Sequence, residues 1–212
     1  MPGLIMDNRP AAHVSLRAVG HRFGEGTWLF RGIESTFGAG DLVAVTGPSG
    51  SGKSTLLSLV AGGTPTEGTI ERGEGRTQWV FQNPYGSAHR STADHVALPF
   101  LARGMSRTEA EPQVQGLLER FNLSESSAAP FRTLSGGQAQ RLMLARALAA
   151  EPALILVDEP TSQLDPVNAG MVIDVLQELA GEDRTVLIAT HDPRVADRAT
   201  RRLVLGDPDG AS

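Results

Sequence analysis

Along the first forty residues, apolar and polar positions alternate. HVSLRAVGHRF (13–23) and TWLFRGIESTF (27–37) repeat with the period of two that a half-buried strand requires, and they predict an antiparallel pair. From residue 41 the pattern changes. DLVAVTG (41–47), TQWVFQ (77–82), ALILVDE (153–159) and TVLIAT (185–190) are unbroken apolar runs closed by polar residues, as in parallel strands covered on both faces, and RRLVL (201–205) follows as a last strand. Helical periodicity fills the intervals at 54–62, 136–150 and 167–181. Strands alternating with helices predict an α/β fold around a mostly parallel sheet, with ligands gathering at the carboxyl ends of its strands.

Residues 92–123 break that alternation: two helical patterns and no strand. The second opens with Ser106 and Glu109 at the spacing of a capping box, so an inserted helical subdomain is expected. The chain reads as one domain over 1–212, with a catalytic core at about 12–82 and 153–206 and the helical subdomain at about 83–150. Residues 1–11 and 206–212 read as loose tails.

Composition narrows the possibilities. The 212 residues are 40% hydrophobic and 20% charged, which is globular rather than disordered. A net charge of −5 disfavours a dedicated nucleic-acid binder, and no nucleic acid is expected as partner. The absence of cysteine excludes disulfides and thiolate metal sites. No apolar run is long enough to cross a bilayer and MPGLIMDNRPAAH lacks a signal peptide's apolar core, so a cytoplasmic protein is expected.

GPSGSGKST (47–55) fits G-x-x-x-x-G-K-[ST] directly after a buried strand and before a helix. Gly47, Gly50 and Gly52 let the backbone of Gly47, Pro48, Ser49, Gly50, Ser51 and Gly52 wrap a polyphosphate, with Lys53 as point charge, Ser54 as a Mg²⁺ ligand and Thr55 opening the helix. LILVDEP ends a strand with two carboxylates. Neighbours on a strand face opposite sides, so Asp158 is assigned to the Mg²⁺ shell and Glu159 to the attacking water as general base. His191 ends the next strand at the same sheet edge and is placed at a γ-phosphate; His13, His21, His89 and His95 are read as structural or exposed. LSGGQ (134–138) opens a helix with Ser135, Gly136 and Gly137, either as a cap with loose glycines or as a bare helix start approached by an anion.

This combination resembles the ATP-binding subunit of ABC transporters over nearly the whole chain, with the subgroup similar to the macrolide-exporter and lipoprotein-releasing type. GPSGSGKST resembles Walker A, LILVDEP Walker B, LSGGQ the signature, SQLD (162–165) the D-loop and His191 the switch histidine. The resemblance makes Gln82 the Q-loop glutamine, a catalytic and metal-binding residue, and places Phe23 against adenine, the alternative being a strand-end core phenylalanine. It implies a P-loop NTPase fold, ATP and Mg²⁺, and a head-to-tail dimer in which Ser135, Gly136, Gly137 and Gln138 of one subunit meet the γ-phosphate held by the other. It also implies separate transmembrane permease subunits and a place on the inner face of the cell membrane. The alternative is a soluble ABC-type ATPase acting on DNA, translation or envelope regulation.

The sequence departs from the family pattern in three places. Gln163 stands where alanine is common in the D-loop, and the interval from Lys53 to Gln82 is short for the subgroup. DHVALPFLARGMSR follows the subgroup closely, but NPYGSAHRSTA (83–93), the segment expected to face the membrane subunit, has Gly86, Ser87, Ala88 and Arg90 where apolar residues are common.

Overall fold

The computed structural model describes residues 14–162, 164–180 and 184–206. The two N-terminal strands, β1 (Val14–Arg22) and β2 (Trp28–Phe37), pair antiparallel as the alternation predicts. Strand β3 (Leu42–Thr46) runs into helix α1 (Lys53–Val60). An unpredicted strand, β4 (Glu67–Arg72), then pairs antiparallel with β1 and completes a three-stranded sheet of order β2-β1-β4. Its sequence, EGTIER, holds one apolar residue, so its strand state comes from the hydrogen-bonding edge of β1 rather than from burial.

Strand β5 (Thr77–Val80) stops before Phe81 and Gln82, which leave the sheet. The helical insertion follows as α2 (Thr92–Ala102), α3 (Arg107–Arg120) and α4 (Gly136–Ala149). The capping box opens α3 as its spacing predicts: Glu109 N–H donates to Ser106 Oγ at 3.3 Å, and Ser106 N–H to Glu109 Oε2 at 2.8 Å. Strand β6 (Leu154–Asp158), helix α5 (Pro166–Ala180) and strand β7 (Thr185–Ala189) come next. A short helix α6 (Pro193–Arg198), capped by Asp192, was too brief to show in the pattern, and strand β8 (Arg201–Val204) closes the fold.

The second sheet is parallel, with order β5-β6-β7-β3-β8. Alternation along its inner strands divides the core in two. Ile155, Val157, Val186 and Ile188 face a cluster built with α2, α3, α4 and α5, while Leu154, Leu156, Leu187 and Ala189 face a cluster built with α1 and the antiparallel sheet. Helix α1 is therefore packed between two sheets. Its N-terminus is held rigidly at the carboxyl end of β3, beside the ends of β6 and β7. The run at 77–82 was expected to be covered on both faces, yet β5 is an edge strand; β8, the last strand the sequence predicts, is the other edge and is largely exposed. Among the described residues no helix is long and apolar enough to cross a membrane.

Candidate active site

Three parallel strands deliver the site. At the end of β3 the loop 47–52 turns into α1 through Gly52, whose φ of +89° lies in the left-handed region; a Cβ there would sit 2.8 Å from Cε1 of Phe30. Helix α1 has no side-chain cap, so its first backbone N–H groups stay free to meet an anion. Lys53 is nearly buried, and its Nζ donates to the carbonyls of Gly47 (3.1 Å) and Pro48 (3.0 Å). The loop's own dipoles thus hold the ammonium against the cradle.

Ser54 Oγ donates to Asp158 Oδ1 at 2.9 Å, bridging α1 and the end of β6. Burial pushes the Asp158 carboxyl above its usual range; the Ser54 bond and Lys53 oppose this, and the neighbouring Glu159 charge adds to it.

Glu159 stands just past β6 with φ +45°, a left-handed conformation that costs a non-glycine residue about 1–3 kcal/mol. Its N–H donates to Ala189 O at 2.9 Å, tying the end of β6 to that of β7. The two carboxylates do diverge, but through this backbone turn rather than through the strand alternation invoked from sequence. Glu159 is turned toward His191, whose Nδ1–H donates to Oε2 at 2.9 Å, with the His191 N–H at 3.4 Å from the same oxygen.

Ser162 extends this network. Its Oγ donates to Glu159 O (3.1 Å) and accepts from Gln82 Nε2 (3.3 Å), giving a continuous chain Gln82–Ser162–Glu159–His191. Sequence reasoning placed Ser162 in a motif without giving it a site role; only the folded chain brings it between Gln82 and Glu159. Asp192 was also missed. It accepts from Thr161 Oγ1 at 2.8 Å and caps α6, and bonds led by Arg194 hold its carboxyl down at about 2. The stretch after Glu159 is thereby pinned to the stretch after His191.

A groove of about 500 Å³ runs along these groups, lined by Phe23, Leu29, Ser49, Gly50, Gly52, Lys53, Ser54, Thr55, Gln82, Glu159 and His191. Phe23 is 67% exposed, so it is not the core phenylalanine the sequence left open; His21 meets it edge-on with ring centroids 5.1 Å apart. Asp158 is reached through Ser54; Gly47, Pro48 and Ser51 of the loop do not line the groove, and Ser51 N–H donates to Pro48 O at 3.2 Å.

Ser135, Gly136, Gly137 and Gln138 are absent from the groove's lining. They open α4 with a capping box: Gln138 N–H donates to Ser135 Oγ at 3.3 Å, and Ser135 N–H to Gln138 Oε1 at 2.9 Å. The two glycines differ. A Cβ on Gly137 would meet Asn168 Cγ at 2.9 Å, so packing against α5 accounts for it; a Cβ on Gly136 would meet nothing within 4 Å. Gln163 and His13 lie outside the described residues.

The ABC transporter profile matches residues 30–162, which span the phosphate loop, Gln82, the signature helix and Glu159. The chain belongs to the ABC transporter family. This ABC subunit is 39% identical to the lipoprotein-releasing system ATP-binding protein LolD 1 of Caulobacter vibrioides, covering 91% of the chain and 90% of that protein. It is 35% identical to the macrolide export ATP-binding/permease protein MacB 1/2 of Paracoccus denitrificans, over 92% of the chain but 32% of that longer protein. A solved ATP-binding cassette, a dimer in a post-hydrolysis state bound to ADP and Pi, superposes with TM-score 0.79 at 30% identity, covering 92% of the chain and 95% of its own. The subunit is an ABC-type ATPase, and the subgroup read from the sequence agrees with these relatives.

Proposed function

We propose that this ABC subunit hydrolyses ATP between two head-to-tail copies of itself and drives a separate membrane permease from the cytoplasmic face. The observation that carries the reading is the chain Gln82–Ser162–Glu159–His191 beside the Lys53 loop, which aims a carboxylate and an imidazole at the place where a γ-phosphate would lie. Lys53 and the free N–H groups of α1 take the phosphates, and the exposed Phe23 takes the adenine. Glu159 accepts a proton from the attacking water, and His191, oriented by Glu159, meets the transferred phosphoryl group.

The donors present fit Mg²⁺. The Ser54 hydroxyl and Asp158 carboxylate already meet at 2.9 Å, and both offer hard oxygen. Gln82 would add its amide oxygen. The ion would neutralise phosphate charge and oppose the burial that pushes the Asp158 carboxyl upward.

The signature start of α4 lies outside the groove of its own chain, which supports the head-to-tail arrangement: its free side, at Gly136, is available to the partner's nucleotide. The dimeric ADP-bound neighbour supports it too.

The test combines turnover with capture. Tagged Glu159→Gln should bind Mg-ATP, hydrolyse it roughly 10²–10⁴-fold more slowly, and retain a polytopic membrane protein from native membranes in an ATP-dependent way. Unchanged turnover overturns the role of Glu159; retention of soluble partners alone overturns the transport reading and leaves the ATPase.

A further inference from the structure

His95 is a buried imidazole that the active site does not use. It lies in α2 with 1% of its surface exposed. Its Nδ1 is 2.8 Å from the Ser91 carbonyl, which only accepts, so Nδ1 carries the proton. Its Nε2 is 3.1 Å from the backbone N–H of Ser87, which only donates, so Nε2 must be bare. The two bonds define one neutral tautomer.

The bond to Ser87 reaches into the loop that follows Gln82. Residues 83–86 are Asn-Pro-Tyr-Gly, a short irregular stretch, and Ser87 is where the loop meets the helical layer. Beyond it, Phe131 N–H donates to Arg90 O (3.0 Å) and Arg132 N–H to Ala88 O (3.1 Å). Gly86 is shaped to this contact: a Cβ there would lie 2.7 Å from His95 Nε2 and 2.9 Å from Phe131 Cδ2. The Phe131 ring covers the imidazole at 5.4 Å between centroids. Gly86 and Ser87, two of the departures from the family's apolar habit in this segment, thus have a partner, and it is His95.

We propose that His95 is a positioning residue of the ATPase: as a neutral imidazole it clasps the Ser87 N–H, fixes the loop after Gln82, and so holds Gln82 against Ser162 and the Glu159 network. The proposal rests on the reading of Gln82 as a working residue of the groove. Helix α2 becomes a lever on Gln82 through one hydrogen bond, five residues from the site. Protonation of Nε2 would set a donor against the Ser87 donor and open the clasp.

The surroundings resist that protonation. Burial pushes the His95 pKa down, the Ser91 carbonyl pulls it partly back, Arg146 from α4 and Arg90 from the loop push it down again, and Asp94 on α2 opposes them. The sign follows: the clasp is complete above the ordinary histidine range near 6.5 and is lost as pH falls through the lower value of the folded protein.

Steady-state ATP turnover of the full chain tests this with four variants. His95→Leu keeps the apolar volume and removes the acceptor; kcat should fall about tenfold with KM for ATP changed less than about twofold, as expected when a catalytic group is misplaced without loss of ground-state binding. His95→Gln places a carbonyl oxygen where Nε2 stands, so it should retain activity, and its kcat relative to wild type should rise as pH falls through the lowered pKa of the buried imidazole, because an amide does not protonate. Gly86→Ala should reproduce the His95→Leu loss, and the double variant should lose no more than either single one. Full activity in His95→Leu, additive losses, or identical pH profiles for His95→Gln and wild type overturn the clasp. Gln82→Ala, measured alongside, separates the two readings: a loss there with none in His95→Leu overturns the clasp alone, whereas full activity in Gln82→Ala overturns both.

Discussion

Two helices of this ABC subunit begin with glycine beside serine, and they begin differently. Helix α1 starts after Gly52 with no side-chain cap, its N–H groups free and Lys53 held against the loop carbonyls. Helix α4 starts at Ser135 with a complete capping box, two of its donors already satisfied by Ser135 and Gln138. A bare helix start is a primary anion site, since nothing has to be displaced for a phosphate to settle there. A capped start is stable by itself and offers an anion only what the cap leaves free. In the proposed dimer the first would bind nucleotide in the single chain, and the second would add its contacts when the partner brings the γ-phosphate, so that its contribution would belong to the dimer.

The largest effects should follow from treating the two starts separately. Lys53→Ala removes a charge-assisted contact worth about 1.5–3 kcal/mol, so ATP affinity should fall roughly 10- to 100-fold, measured by fluorescent nucleotide titration. Ser135→Arg should leave nucleotide affinity of the single chain unchanged, since Ser135 is outside the groove, but should block turnover. Mixing the two inactive variants should restore partial ATPase activity, because one composite site then joins an intact loop to an intact signature. Proven mixed dimers without recovery would mean that α4 does not complete the neighbour's site.

Gly52→Ala tests the bare start from the side of stability. The new Cβ enters the left-handed region and presses on Phe30. Left-handed strain of about 1–2 kcal/mol with overpacking of about 1–3 kcal/mol predicts a loss of about 2–5 kcal/mol in urea unfolding. A loss below 1 kcal/mol would show that the loop relaxes, and that its glycine serves the phosphate rather than the packing.

The ease of reading these features from sequence follows from how local their causes are. Strands β3, β6 and β7 were legible because burial on both faces leaves unbroken apolar runs, and the capping box of α3 was legible because its partners sit three residues apart; on α4 the serine cap was read but the return bond from Gln138 was not. Strand β4 was not, because EGTIER gains its order from an edge supplied by β1, about fifty residues earlier in the chain. The phosphate loop, Glu159 and His191 were visible in type and place. The reason Asp158 and Glu159 diverge was not, since it lies in a backbone turn at φ +45°. Ser162 and the His95–Ser87 bond were invisible for the same reason: each joins segments whose approach only the completed fold decides.

The smallest effect separates the two glycines of the signature, and it has opposite signs in stability and function. Gly137→Ala would press on Asn168 and should destabilise the chain. Gly136→Ala meets open space at the first position of α4, where alanine loses less backbone entropy than glycine, so it should stabilise the isolated chain by about 0.5 kcal/mol in urea unfolding. A protein that needed only a helix start there would profit from that change. If Gly136 is bare because a partner's phosphate and backbone approach it, the same variant should turn over ATP several-fold more slowly while its nucleotide affinity as a monomer stays unchanged. A more stable subunit that works less well would place the need for that glycine outside its own chain; equal turnover would return Gly136 to the role of a loose cap.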